Sequence, residues 1–115
     1  MSKQTRSGGP EVKIIFHPRQ SGLKGPGGKP AGDWVVTPKD VPAHWRDEIT
    51  WRTIPDAQLV LSLPTSIFAV SGALGNTTAT APLKNGTGSA YAHYEAWCDG
   101  QLATGGSSPG VIVDT

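Results

Sequence analysis

The chain has little of what usually betrays a chemistry. It carries one cysteine and one methionine, the latter at position 1. A single cysteine excludes an internal disulfide and any cysteine-rich metal site. Charge of either sign is not in excess: Lys and Arg number 10 against 9 Asp and Glu, a net charge of +1. There is therefore no electrostatic case for nucleic acid or an anionic membrane as partner. No apolar run approaches the roughly 18 residues of a spanning helix. Residues 1–10, Met-Ser-Lys-Gln-Thr-Arg-Ser-Gly-Gly-Pro, hold no apolar segment and do not form a secretory leader. The expectation is a cytoplasmic protein, although a secreted form stripped of its leader would read the same way. Also missing are Gly-x-Ser-x-Gly, His-Glu-x-x-His and the phosphate-cradling Walker pattern. No segment keeps a 3.6-residue apolar period beyond about one turn, which argues against helices.

What the chain does have is punctuation. Gly 15 and Pro 10 make up more than a fifth of 115 residues, and they separate short apolar runs. That pattern predicts one all-β domain over residues 11–115, preceded by a loosely held arm at 1–10. Glu11-Val-Lys-Ile-Ile-Phe16 alternates and reads as the first strand, with His17-Pro18 after it. Asp33-Trp-Val-Val-Thr37, Glu48-Ile-Thr-Trp-Arg-Thr53 and Gln58-Leu-Val-Leu-Ser-Leu63 follow as strands, and Pro42–Asp47 as a half-strand or turn. Thr77-Thr-Ala-Thr80 fits an edge strand, and Asn85-Gly86 a turn. Tyr91-Ala-His-Tyr-Glu-Ala-Trp-Cys98 places Ala92, Tyr94, Ala96 and Cys98 on one face and Tyr91, His93, Glu95 and Trp97 on the other. Asp99-Gly100 then turns the chain, and Val111-Ile-Val113 closes it, so residues 91–114 form an antiparallel pair. Seven or eight strands at this spacing match a β-sandwich.

Two stretches carry a family likeness. Asp47-Glu-Ile-Thr-Trp-Arg52 resembles the Gly-Asp-x-Val-x-Trp-x-Asn strand of cupredoxin-like domains, with Asp-Glu in place of Gly-Asp. Tyr94-Glu-Ala-Trp-Cys-Asp-Gly100, followed by Ser-Pro-Gly-Val-Ile-Val-Asp114, resembles their Tyr-x-Val-x-Val-Asp-Gly and Asp-Pro-x-Ile-Ile-Val ending. The resemblance covers residues 33–115 and implies a Greek-key β-sandwich of two sheets, cupredoxin-like or immunoglobulin-like, with Trp51 and Tyr94 in or near the core. It also implies a copper-less member. Cys98 stands where copper-binding relatives place their cysteine, but no His follows it and the only Met is Met1. No cofactor is expected.

The remaining candidates are read against plainer alternatives. Four Trp exceed what so small a core needs. Trp51 is read as core; Trp34, Trp45 and Trp97 are candidate binding rings, with a protein or a carbohydrate as ligand, or else cover for an outer sheet face with Arg52 stacked on a ring. Self-association through an outer face is the form a homo-oligomer would take. Cys98 is either a small buried hydrophobe or a nucleophile with His93 or His44 as base. His17, His44 and Cys98 are the alternative metal set. The leading expectation is a non-catalytic binding or interaction module.

Residues 18–32 hold five Gly, three Pro and the cations Lys24 and Lys29, which are candidates for meeting a partner. So few side chains can offset little of the roughly 1–2 kcal/mol per residue that backbone ordering costs. Shortening residues 22–30 is therefore expected to leave the melting temperature nearly unchanged, since closure entropy varies slowly with loop length. A drop beyond about 8 °C, on the order of 1–2 kcal/mol for this size, would show packed structure there instead.

Overall fold

The computed structural model describes residues 9–18, 32–103 and 109–114, and these form strands and connections without a helix. Eleven strands run in chain order: β1 (Glu11–Pro18), β2 (Gly32–Thr37), β3 (Asp40–His44), β4 (Glu48–Ile54), β5 (Gln58–Ser62), β6 (Gly72–Asn76), β7 (Thr78–Pro82), β8 (Ala90–His93), β9 (Glu95–Cys98), β10 (Gln101–Ala103) and β11 (Gly110–Asp114). They make three sheets, ordered β2-β1-β4-β7, β10-β9-β5-β6 and β3-β11-β8. Two neighbours are parallel, β1 with β4 and β3 with β11; the rest are antiparallel.

The count of seven or eight strands expected from the sequence is corrected to eleven for local reasons. The alternating run 91–98 divides at Tyr94 into β8 and β9, which pair in different sheets. Its returning arm is likewise two strands, β10 against β9 and β11 against β8. Residues 71–90 supply β6 as well as the expected edge strand, β7. Period-2 patterning cannot mark such divisions, because both halves of a divided strand keep the same alternation. The antiparallel pairing of 91–98 with the chain end is as the pattern indicates, with Tyr94 N–H donating to Pro109 C=O at 3.0 Å between the two halves.

One apolar cluster draws on all three sheets. Val12, Ile14, Trp34 and Trp51 enter it from the first, Leu59, Leu61, Ala96 and Cys98 from the second, and Val41, Val111 and Val113 from the third. At its centre the Trp51 ring meets Tyr94 edge-on at 5.4 Å and lies 6.0 Å from Phe68. Phe68 and Ile67 come from a connection rather than a strand, joined to it by a bridge between Phe68 and Leu83. Burying each large side chain of this kind contributes about 1.5–3 kcal/mol. The Tyr94 hydroxyl and the Trp51 indole N–H are both buried without a hydrogen-bond partner. Burial, the largest effect, pushes the Tyr94 phenol up to about 12.

The chain passes from the second sheet to the first within one residue. Thr77, between β6 and β7, has φ 69°, unusual for a β-branched side chain. Both its backbone groups are held: its N–H donates to Ala57 C=O at 2.8 Å, and its C=O accepts from Thr53 N–H at 2.7 Å. The corner is tight enough that a Cβ on Gly75 would lie inside contact distance of the Thr78 carbonyl oxygen. Gly75→Ala therefore cannot be absorbed by a side-chain rotation. The variant is expected to lose about 1–3 kcal/mol in a denaturant melt; an unchanged midpoint would show that the corner gives way freely.

Candidate functional site

Alternation along β5 turns Leu59 and Leu61 inward and so leaves Val60 outside. Register then decides what lies beside it. Val60 pairs with Leu74 on β6 and with Trp97 on β9, and Trp97 pairs with Leu102 on β10. Leu102, Trp97, Val60 and Leu74 thus form one row straight across all four strands of the second sheet. Leu74 is 77% exposed, Leu102 44% and Val60 37%, and Trp97 between its two neighbours is half-buried. Directly opposed side chains stand about 4.5–5.5 Å apart, so the row is a continuous apolar strip.

The margins of the strip are polar. Gln58 and Asn76 pair on one side, and Ser62 pairs with Glu95 and Gly72 on the other. At the first margin the Asp99 carboxylate accepts the Gln58 backbone N–H at 2.9 Å. Glu95 and Asp99 are the charges along these four strands and their hairpin turn, and no cation accompanies them. An apolar strip with an acidic rim suits an apolar partner flanked by basic groups.

The tryptophans fall into different settings. Trp34 is 5% exposed and packs on Phe16 at 5.1 Å, so it serves the core. Trp45 is half-buried over Gly86, where a Cβ would strike its ring, and its indole N–H donates to Gly88 C=O at 2.8 Å. It anchors the connection before β8. Arg52 lies on the first sheet, away from Trp97 on the second, and faces Glu11 at 3.4 Å. The ring stacking considered for it is replaced by an exposed ion pair worth little. Lys24 and Lys29 lie outside the described residues.

A second outer row crosses the third sheet, where Ile112 pairs with Pro42 and Tyr91. The Tyr91 ring leans over Gly110, where a Cβ would collide with it, and its hydroxyl donates to Asp40 at 3.0 Å. That bond, then partial burial and the nearby carboxylate charge, raise the Tyr91 pKa. His93 meets the same ring edge-on at 4.9 Å. Beside this row an open groove of about 470 Å³ is bounded by Pro10, Pro42, His44, Asp47, Ile112 and Asp114. His44 is engaged within it: its Nδ1 lies 3.1 Å from the Asp114 C=O, and its backbone N–H donates to Asp47 at 2.9 Å.

Cys98 is not joined to a base. It is fully buried on the inner face, while His93 is exposed on the other face and His44 belongs to a different sheet. Burial, then the Asp99 charge, push its thiol up to about 12, away from a nucleophile's range. His17, His44 and Cys98 belong to three separate sheets, and among the described residues no group of three potential ligands converges.

Sequence reasoning singled out Trp97 but missed Val60, Leu74 and Leu102. Part of the signal was present: a two-residue turn at Asp99-Gly100 sets Trp97 opposite Leu102. The sequence does not say that β5 and β6 continue that row. No family model matches the chain, and no curated protein is recognisably similar to it.

With its thiol buried and protonated, Cys98 is expected to resist iodoacetamide at pH 8 in the native protein and to react fully in denaturant. Native alkylation at the rate of free cysteine would restore the thiol-enzyme reading.

Proposed function

We propose that the protein is a non-catalytic binding module of β-sandwich type that engages a protein partner through the outer face of its second sheet. The observation that carries this is the in-register strip Leu102, Trp97, Val60 and Leu74. A rigid indole flanked by aliphatic side chains supplies contact area at small entropic cost, which is what interface anchors do. A protein is favoured over a carbohydrate because the strip's only side-chain hydrogen-bonding group is the Trp97 indole N–H. Sugar sites need several convergent polar groups. The acidic margin assigns basic flanking residues to the partner.

In this reading the first sheet is one layer and the other two together form the second, in a Greek-key arrangement. The inward Trp51 and Tyr94, and the cysteine next to the Asp-Gly turn, support the resemblance to cupredoxin-like domains lacking copper ligands.

Peptides selected from a random library against the whole protein test the proposal. Binders are expected to alternate aromatic or aliphatic residues with polar or basic ones. Trp97→Ala should weaken them about tenfold or more without altering the melting temperature. Peptides bound equally well by Trp97→Ala and Val60→Glu would place the binding face elsewhere.

A further inference from the structure

The strip ends at an unprotected edge. Among the described residues, β6 pairs with β5 on one side and with no strand on the other. Strand edges are usually blunted by charge, proline or a bulge. β6, Gly-Ala-Leu-Gly-Asn, has no charge and no proline, and its register with β5 runs without a bulge. At its midpoint stands Leu74, more exposed than any other large apolar side chain among the described residues.

The direction of the free backbone groups follows from the ladder. Leu63 N–H donates to Ser71 C=O at 2.9 Å, so 63 and 71 form a hydrogen-bonded pair. Alternation from that pair turns the backbone groups of Ala73 and Gly75 toward Leu61 and Leu59. Gly72, Leu74 and Asn76 therefore point their N–H and C=O groups away from β5, at the open edge. The β5–β9 ladder agrees, because Gln58 C=O accepts from Asp99 N–H at 2.8 Å on β5's other side.

We infer that β6 is a self-association edge that pairs antiparallel with β6 of a second copy about a two-fold axis at Leu74. This goes beyond the outer-face reading above: it uses the edge of the same sheet and leaves the strip of each copy open to a partner with basic flanks. The geometry is self-complementary: Leu74 pairs with Leu74, Gly72 with Asn76 and Asn76 with Gly72, and each residue with free groups meets another such residue. Residues directly opposed in an antiparallel pair share a face. The strip of one copy thus continues into the strip of the other, with the two most exposed leucines covering each other at the axis. Charge permits it. Glu95 and Asp99 are borne by β9 and its turn, two strands in from β6, so the acidic margins do not meet. The pairing uses the β6 edge of both copies and closes at a dimer.

Sedimentation velocity on the whole chain from about 10 µM to about 1 mM tests the inference. The wild type is expected to pass reversibly from its 12.0 kDa monomer to twice that mass. Leu74→Lys, which sets two ammonium groups at the axis, should weaken the dimer about tenfold or more while keeping the melting temperature of the monomer. A wild type that stays monomeric at 1 mM, a dimer indifferent to Leu74→Lys, or assembly beyond the dimer would each overturn the pairing. Should Leu74→Lys destabilise the fold, Asn76→Lys at the end of the same edge decides by the same criterion. Trp97→Ala separates the two proposals. It should leave the dimer in place while losing the selected peptides; a dimer with peptide binding untouched would fail the outer-face reading alone.

Discussion

Positive φ at both Asp99 (51°) and Gly100 (81°) closes the β9–β10 hairpin with Cys98 opposite Gln101, and the register this imposes runs through the second sheet. Such a two-residue turn matches the right-handed twist of its strands, and glycine at its second position takes the left-handed conformation without a Cβ penalty. A shift by one residue would exchange every inward side chain for an outward one. Cys98 and Ala96 would then face solvent, and Trp97 and Glu95 would enter a core already occupied by Trp51, Tyr94 and Phe68. The burial of Cys98 and the half-exposure of Trp97 are thus two consequences of one turn.

The same register separates the packed face from the exposed one. Inward, the second sheet offers Leu59, Leu61, Ala96 and Cys98 to the common cluster, small enough beside β9 to admit the rings of Trp51 and Tyr94. Outward, it offers the strip that ends at Leu74. The chain then leaves this sheet at the Thr77 corner, where both backbone groups of a strained residue are held, one by Ala57 before β5 and one by Thr53 of β4. That corner stops β6 beside β5 and turns the chain into the first sheet. Among the described residues, the strip is therefore bounded on the β6 side by an unpaired edge.

Several of the candidate side chains make contacts that hold the fold. His44 is engaged with the end of β11 and with its own turn, Trp45 holds the connection before β8, and Trp34 fills the core beside Phe16. The thiol sits where ionisation is opposed by burial and by the Asp99 charge together. Exposed apolar side chains stand in rows on the second sheet and again around Tyr91 and Ile112 on the third.

The all-β class, the inward set Ala96, Tyr94 and Cys98, the core position of Trp51 and the Asp-Gly turn were all legible in the residues alone. Each depends on period-2 alternation or on a backbone angle that glycine takes most easily, and both are local properties. The division at Tyr94, the existence of β6 and the third sheet were not legible, because pairing partners are distant in sequence and leave no mark on the alternation itself. The surplus of tryptophan was visible, but its assignment was not. Composition counted four rings; only the packing of strands put Trp34 inside, Trp45 over Gly86 and Trp97 in line with Val60 and Leu74. Which side chains share a row is a matter of register between strands, and the tertiary structure alone decides it.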